Sequence, residues 1–181
     1  MRLNLHCHPL SWVTGVDEFW VSYSWEQGDS LCIKYVLKGS LDNLNVPSRV
    51  EPERADGLWK NTCFELFLRK SAEDGYCEFN FSPSGRWSAY QFSGHREGMT
   101  NLFLPKRPEI VLESSDVHIT LDVTHYLPDS WRENILIAAF SAVIADKSGA
   151  KSYWALSHPP GKPDFHHKDG FAHQLKAADS I

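Results

Sequence analysis

The chain has 181 residues, a length suited to one domain that buries a sizeable core without disulfide or metal staples. Hydrophobic residues make up 42% and charged residues 23%, which excludes a disordered chain. The 18 basic and 23 acidic side chains leave a net charge of −5 and no basic block, so nucleic acid and anionic membrane surfaces are not expected partners.

The first residues, Met1-Arg2-Leu3-Asn4-Leu5-His6-Cys7-His8-Pro9, carry neither the apolar stretch nor the small-residue cleavage site of an export signal, and no apolar run approaches membrane-spanning length. The expected location is the cytoplasm. Cys7, Cys32, Cys63 and Cys77 are scattered and form no CxxC pair, so free thiols are expected. His6 and His8, two apart, would share one side of a strand, either as a metal-holding pair or as two solvated rings.

Short runs rich in aromatic and branched residues follow in chain order. Strands are expected near residues 19–25, 30–37, 62–68, 76–82, 86–92, 109–113, 117–123 and 152–157. Residues 117–123 alternate apolar and polar without a fault, as a half-buried strand should. Residues 135–144 are apolar on both sides, which suits a central strand, although Ala138-Ala139 leaves a buried helix open. Turn chemistry separates the runs at Glu26-Gln27-Gly28-Asp29, Glu73-Asp74-Gly75, Ser82-Pro83-Ser84-Gly85 and Asp146-Lys147-Ser148-Gly149. One helical turn is expected at 124–127 before Pro128. The pattern predicts an all-β fold, an antiparallel β-sandwich of jelly-roll or Ig-like type, as a single domain over 1–181. Two long irregular segments, 47–60 and 157–170, are where function is expected on such a scaffold.

The period of two sorts the side chains. Phe64, Leu66 and Leu68 share one side of their strand, Cys63, Glu65 and Phe67 the other. Cys77, Phe79 and Phe81 oppose Tyr76, Glu78 and Asn80, while Ser88, Tyr90 and Phe92 oppose Trp87, Ala89 and Gln91. One sheet surface would then carry Glu65, Glu78 and Asn80 among aromatics, with Arg86 and Arg96 as charged donors. A sugar offers a C–H side to an aromatic ring and hydroxyls to fixed carboxylates and amides, so this surface suits a carbohydrate; the same residues would equally form the solvated side of an ordinary sheet. Paired carboxylates also serve glycosidases, but no GxSxG, HExxH, P-loop or GxGxxG motif is present, and no catalysis is expected. His158, Asp164, His166 and His167 form a second polar cluster, suited to a metal or to shaping a loop. Met99, the only methionine after Met1, would be the partner of a histidine if haem were bound.

Three strings go further: 58–68 (LWKNTCFELFL), 76–90 (YCEFNFSPSGRWSAY), and 155–159 (ALSHP) continuing to 164–171 (DFHHKDGF). Together they resemble the bacterial DOMON-like proteins related to the family 9 carbohydrate-binding module, over residues 31–175. The resemblance implies a β-sandwich that binds a ligand without chemistry. By motif, Trp59 matches an aromatic that stacks on a sugar and Glu65 a carboxylate that bonds its hydroxyls. Arg86 stands nearest the family's arginine, and Phe165 stands where a second stacking tryptophan would be. The expected ligand-binding set is Trp59, Glu65, Glu78, Asn80, Arg86, Tyr90, His158, Asp164, Phe165 and His166. Relatives carry calcium, and other DOMON-type sandwiches bind haem, so calcium or haem is a possible cofactor. The alternatives to a carbohydrate module are a haem or metal redox module and a protein-interaction scaffold.

Overall fold

The protein was analysed as a computed structural model that describes residues 1–11, 15–26, 30–127, 131 and 134–175. Its strands are β1 (Arg2–Asn4), β2 (His6–Cys7), β3 (Val16–Trp25), β4 (Ser30–Gly39), β5 (Cys63–Lys70), β6 (Tyr76–Phe81) and β7 (Trp87–Phe92). They continue with β8 (Thr100–Asn101), β9 (Glu109–Ser114), β10 (His118–Tyr126), β11 (Leu136–Ala145), β12 (Lys151–Ala155) and β13 (His173–Gln174). Two antiparallel sheets result, one in the order β1-β3-β4-β10-β9, the other β2-β12-β11-β5-β6-β7-β8 with β13 also on β11.

Alternation decides which residues go between the sheets. Leu31, Ile33, Tyr35 and Leu37 of β4 and Ile119, Leu121 and Val123 of β10 meet Phe64, Leu66, Leu68, Phe79, Phe81 and Phe140 from the larger sheet. The Tyr35 hydroxyl, the polar atom of the largest buried side chain here, donates to the Glu65 carbonyl at 2.8 Å, so its burial leaves no unmet bond. A second apolar group, Phe67, Tyr76, Tyr90, Phe92, Ala139 and Phe171, lies on the opposite side of the larger sheet. That second layer explains why β11 is apolar on both sides: one side faces the smaller sheet, the other a covering loop. The helix left open for this run is not formed.

The turns at 73–75, 82–85 and 146–149 join paired strands. At the second, Gly85 adopts φ 92°, a backbone conformation that calls for glycine. Residues 27–29 of the first turn lie outside the described residues. The helical turn expected at 124–127 is corrected: β10 continues to Tyr126, with Thr124 opposite both Cys32 and Glu109. The ladder to β4, which runs on to Tyr126, satisfies that backbone better than an isolated turn could. All four cysteines are free thiols, and among the described residues no helix is long and apolar enough to cross a membrane.

One core residue carries a cost. His125 is fully buried, its ring 4.2 Å from that of Phe79, and neither ring nitrogen has a hydrogen-bond partner. Burial lowers its pKa from 6.5 to about 3, so an unfolded chain takes up a proton that the folded one refuses. The stability that goes with the neutral ring is complete above pH 6.5 and falls by about 1.4 kcal/mol per pH unit as the pH drops toward the folded value. In urea unfolding, His125→Leu is expected to gain on the parent steadily between about pH 7 and pH 5; a gap that does not change with pH would refute this.

Candidate binding cavity

The outer side of the larger sheet is built from the residues that alternation turns away from the core. Across it, Ser141 of β11 stands opposite Glu65 of β5, which stands opposite Asn80 of β6, itself opposite Ser88 of β7. The next row is Ala139, Phe67, Glu78 and Tyr90. A polar row therefore crosses an otherwise apolar surface, and Glu65 and Glu78 are diagonal neighbours on adjacent strands. The two long segments close over this surface. Residues 47–60 contribute Trp59, in a single 3-10 turn (Leu58–Lys60), and 157–170 contribute Pro163, Phe165 and His166.

Between sheet and loops lies a cavity of about 490 Å³, within the size range of small-molecule sites. Trp59, Tyr90 and Phe92 line one part of it, Tyr153, Phe165 and Val143 another, with Glu65, Glu78, Arg96, His166, Met99 and Lys151 as further lining. Trp59 is 40% exposed, and its ring lies 6.1 Å from Tyr90 at 74°. A second cleft of about 410 Å³ adjoins it across Trp59, Tyr90 and Met99, with Asp56, Thr100 and Asn101 on its own side. The Tyr90 hydroxyl donates to Asp56 Oδ1 at 2.6 Å; burial and that carboxylate push its pKa up to about 12.

Glu65 is 3% exposed and Glu78 6%. Burial, and then the charge of Glu78, pushes the Glu65 carboxyl well above its ordinary value, Arg96 pulling the other way. Burial also raises Glu78, opposed by the Asn80 amide, whose Nδ2 donates to Glu78 Oε1 at 2.7 Å, and by Arg96. The other Glu78 oxygen lies 3.7 Å from His166 Nε2. The Arg96 backbone N–H donates to the Tyr76 hydroxyl at 3.1 Å, and that hydroxyl shares a hydrogen bond of 2.7 Å with His166 Nδ1. Burial, with Arg96 adding to it, lowers the His166 pKa to about 4, so the ring is neutral at ordinary pH.

Arg96 pins this arrangement. Its φ of 57° places a non-glycine residue in the left-handed region, a conformation that persists only when surrounding contacts impose it. Those contacts are the backbone bond to Tyr76 and a two-nitrogen grip on Asp164 Oδ1, Nη2 at 2.8 Å and Nε at 3.2 Å. Asp164 also receives His95 Nε2 at 2.9 Å and the His166 backbone N–H at 3.1 Å. Burial pushes Asp164 upward, but the bonds from Arg96 and His95 outweigh it and hold the carboxyl below its usual range.

Of the expected residues, Trp59, Glu65, Glu78, Tyr90, Phe165 and His166 line the cavity. Asn80 is fully buried behind Glu78, and Asp164 braces Arg96 and His166 from outside. The placements of Arg86 and His158 correct the expectation. Arg86 precedes β7 at the hairpin, pairs with Glu53 at 2.7 Å and does not line the cavity; the cavity arginine is Arg96. His158 directs Nε2 to the His6 carbonyl at 2.8 Å and packs its ring 4.8 Å from buried His8, away from His166. The 158–167 cluster is thus divided, and among the described residues no three His, Cys, Asp or Glu side chains group as metal ligands. His8 is likewise buried rather than solvated.

Lys151, Tyr153 and Val143 were not singled out from the sequence. The available signal was the 146–149 hairpin, which sets Tyr153 opposite Val143 and so on the cavity side. Pro163 offered none.

No protein-family model matches the sequence, and no curated protein is similar to it. Solved structures share its fold. A candidate carbohydrate-binding protein from Bacteroides uniformis ATCC 8492 aligns over 85% of this chain and 75% of its own at 13% identity, TM-score 0.62. A family 9 carbohydrate-binding module from Caldicellulosiruptor kristjanssonii, in complex with glucose, aligns over 94% and 83% at 13% identity, TM-score 0.56. The cellotriose complex of a family 9 module from that organism aligns over 89% and 74% at 11% identity, TM-score 0.55. The chain has the sandwich fold of family 9 carbohydrate-binding modules.

The raised carboxyl of Glu65 has a consequence for stability. A Glu whose folded pKa exceeds its unfolded value contributes stability that is complete below about 4.5 and is lost as the pH rises through the folded value. Glu65→Gln is therefore expected to unfold later than the parent at pH 7 and to lose this advantage near pH 4, as followed by chemical denaturation. An advantage that grew toward acid pH would show that Glu65 is not held protonated.

Proposed function

We propose that this chain is a non-catalytic binding domain, a single unit over 1–181, whose ligand is a carbohydrate. The observation that carries the reading is the juxtaposition of an exposed Trp59 with a buried, unpartnered Glu65 carboxyl in one aromatic-lined cavity. A sugar ring would stack on Trp59, with Phe165 as the second aromatic, and donate hydroxyl protons to Glu65. The glucose and cellotriose complexes of fold relatives support the choice of ligand class, and the strings resembling DOMON-like proteins fall on the segments that form the cavity.

Binding is favoured over hydrolysis because the two carboxyls do not form a free acid and base. Both Glu78 oxygens face protein donors, Asn80 and His166, which leaves Glu65 as the one uncommitted carboxyl. The haem alternative does not fit these residues. Met99 lines the cavity, but His158 does not, and His166 is committed at Nδ1 to Tyr76 while Nε2 faces Glu78. Nor do the described side chains offer a grouped set of carboxylates for calcium. The cytoplasmic placement remains part of the proposal.

The test is tryptophan fluorescence during titration with a panel of mono- and oligosaccharides. A saturable change is expected, with modest affinity; Trp59→Ala should abolish the signal and weaken binding, measured calorimetrically, by about tenfold or more. Saccharide binding unaffected by both Trp59→Ala and Glu65→Ala would refute the site.

A further inference from the structure

Resting on the carbohydrate reading, the charge distribution of the cavity says more about the ligand. Glu65 is almost wholly buried, lines the cavity, and receives no hydrogen bond or ion pair at its carboxyl from the described residues. Glu78 stands diagonally beside it on the next strand. The nearby cation is already spent, because Arg96 grips Asp164 with two nitrogens. Lys151 belongs to the far end: it is opposite Ala145, four residues along β11 from the Ser141 that faces Glu65, a separation of about 13 Å along the strand and two strand spacings across. Among the described residues, the end of the cavity beneath Trp59 and Tyr90 thus has acidic groups, aromatic rings and no cation other than Arg96, which is held by Asp164.

From this geometry we infer that the preferred ligand is a saccharide bearing a free amine, whose ammonium group sits against Glu65 with an aromatic wall beside it. An ammonium brings three donors and a positive charge to a carboxyl that receives no hydrogen bond from the described residues and whose neighbouring cation, Arg96, is gripped by Asp164. The aromatic wall formed by Trp59 and Tyr90 would add attraction that a neutral hydroxyl does not receive. An N-acetylated sugar presents one amide donor and no charge, so it gains neither term.

The inference carries a proton balance. In the free site burial and mutual repulsion favour the protonated form of the paired carboxyls, and a bound ammonium favours the carboxylate instead. The carboxylic O–H bond of Glu65 breaks, its proton leaves to the buffer, and the ammonium keeps all of its own. The other groups facing the pair do not confuse the count. Cys63 and Tyr90 are pushed upward and stay neutral, and His166 is neutral above about 4.

The experiment is calorimetry on the full chain at about pH 6, where a sugar amine is charged, with a glucosamine disaccharide, its N-acetylated counterpart and cellobiose as probes. Each is titrated in two buffers of different ionisation enthalpy. The amine is expected to bind about tenfold or more tightly than the other two and to release a proton, seen as a buffer-dependent heat. Glu65→Gln should cancel both the preference for the amine over cellobiose and the proton release. Cellobiose binding as tightly as the amine, with no proton released by the parent protein, would overturn this inference and leave the carbohydrate reading intact. Binding of none of the three, together with silence across the saccharide panel, would overturn both.

Discussion

A carboxyl buried beside another carboxyl is the constraint around which this protein is arranged. Glu65 and Glu78 project from adjacent strands onto the outer side of the larger sheet, and the neighbouring structure exists to tolerate them. Asn80 donates to Glu78 from the same strand, Tyr76 holds the His166 ring beside it, and Asp164 holds Arg96 in place. No comparable arrangement closes over Glu65. A group that costs free energy to bury and has nothing to satisfy it is a candidate for satisfaction by a ligand. The proposed carbohydrate site follows from that imbalance more than from the shape of the cavity.

The division of labour between sheet and loops follows from the same arrangement. The strands supply Glu65, Glu78, Tyr90 and Tyr153 at positions set by register, and backbone ladders hold them to a fraction of a strand spacing. The loops supply Trp59, Phe165 and His166, and they are themselves tied to the sheet, by Tyr90 to Asp56 on one side and by Tyr76 to His166 on the other. The left-handed backbone of Arg96 marks where this tying is most demanding. His125, unpartnered on the core side of the same sandwich, is a contrasting case: buried polar nitrogens with no cavity before them and no role in the proposed site.

Much of this was legible in a strictly alternating sequence. The period of two was enough to assign Glu65, Glu78 and Asn80 to the side away from the phenylalanines, and the turn residues were enough to pair β6 with β7. Alternation could not show that this side is itself covered, because the cover comes from segments far away in the chain. Hence Glu78 and Asn80, which read equally well as a solvated surface, are buried. The arginine was harder still. Arg86 lies beside the motif in sequence, whereas Arg96 reaches the cavity only through a turn whose conformation no local rule assigns to arginine. His158 and His166 are eight positions apart in one loop and serve different neighbours, a separation visible only in three dimensions. At 124–126, pairing with β4 overrode a local turn signal.

The most direct measurement is a pH titration of the side-chain carboxyl carbons of Glu65 and Glu78 by NMR, free and with saturating saccharide. The account predicts two coupled transitions above the ordinary glutamate value in the free protein, with the Glu65 signal moved by the ligand. Two independent transitions at the ordinary value, indifferent to saccharide, would contradict it.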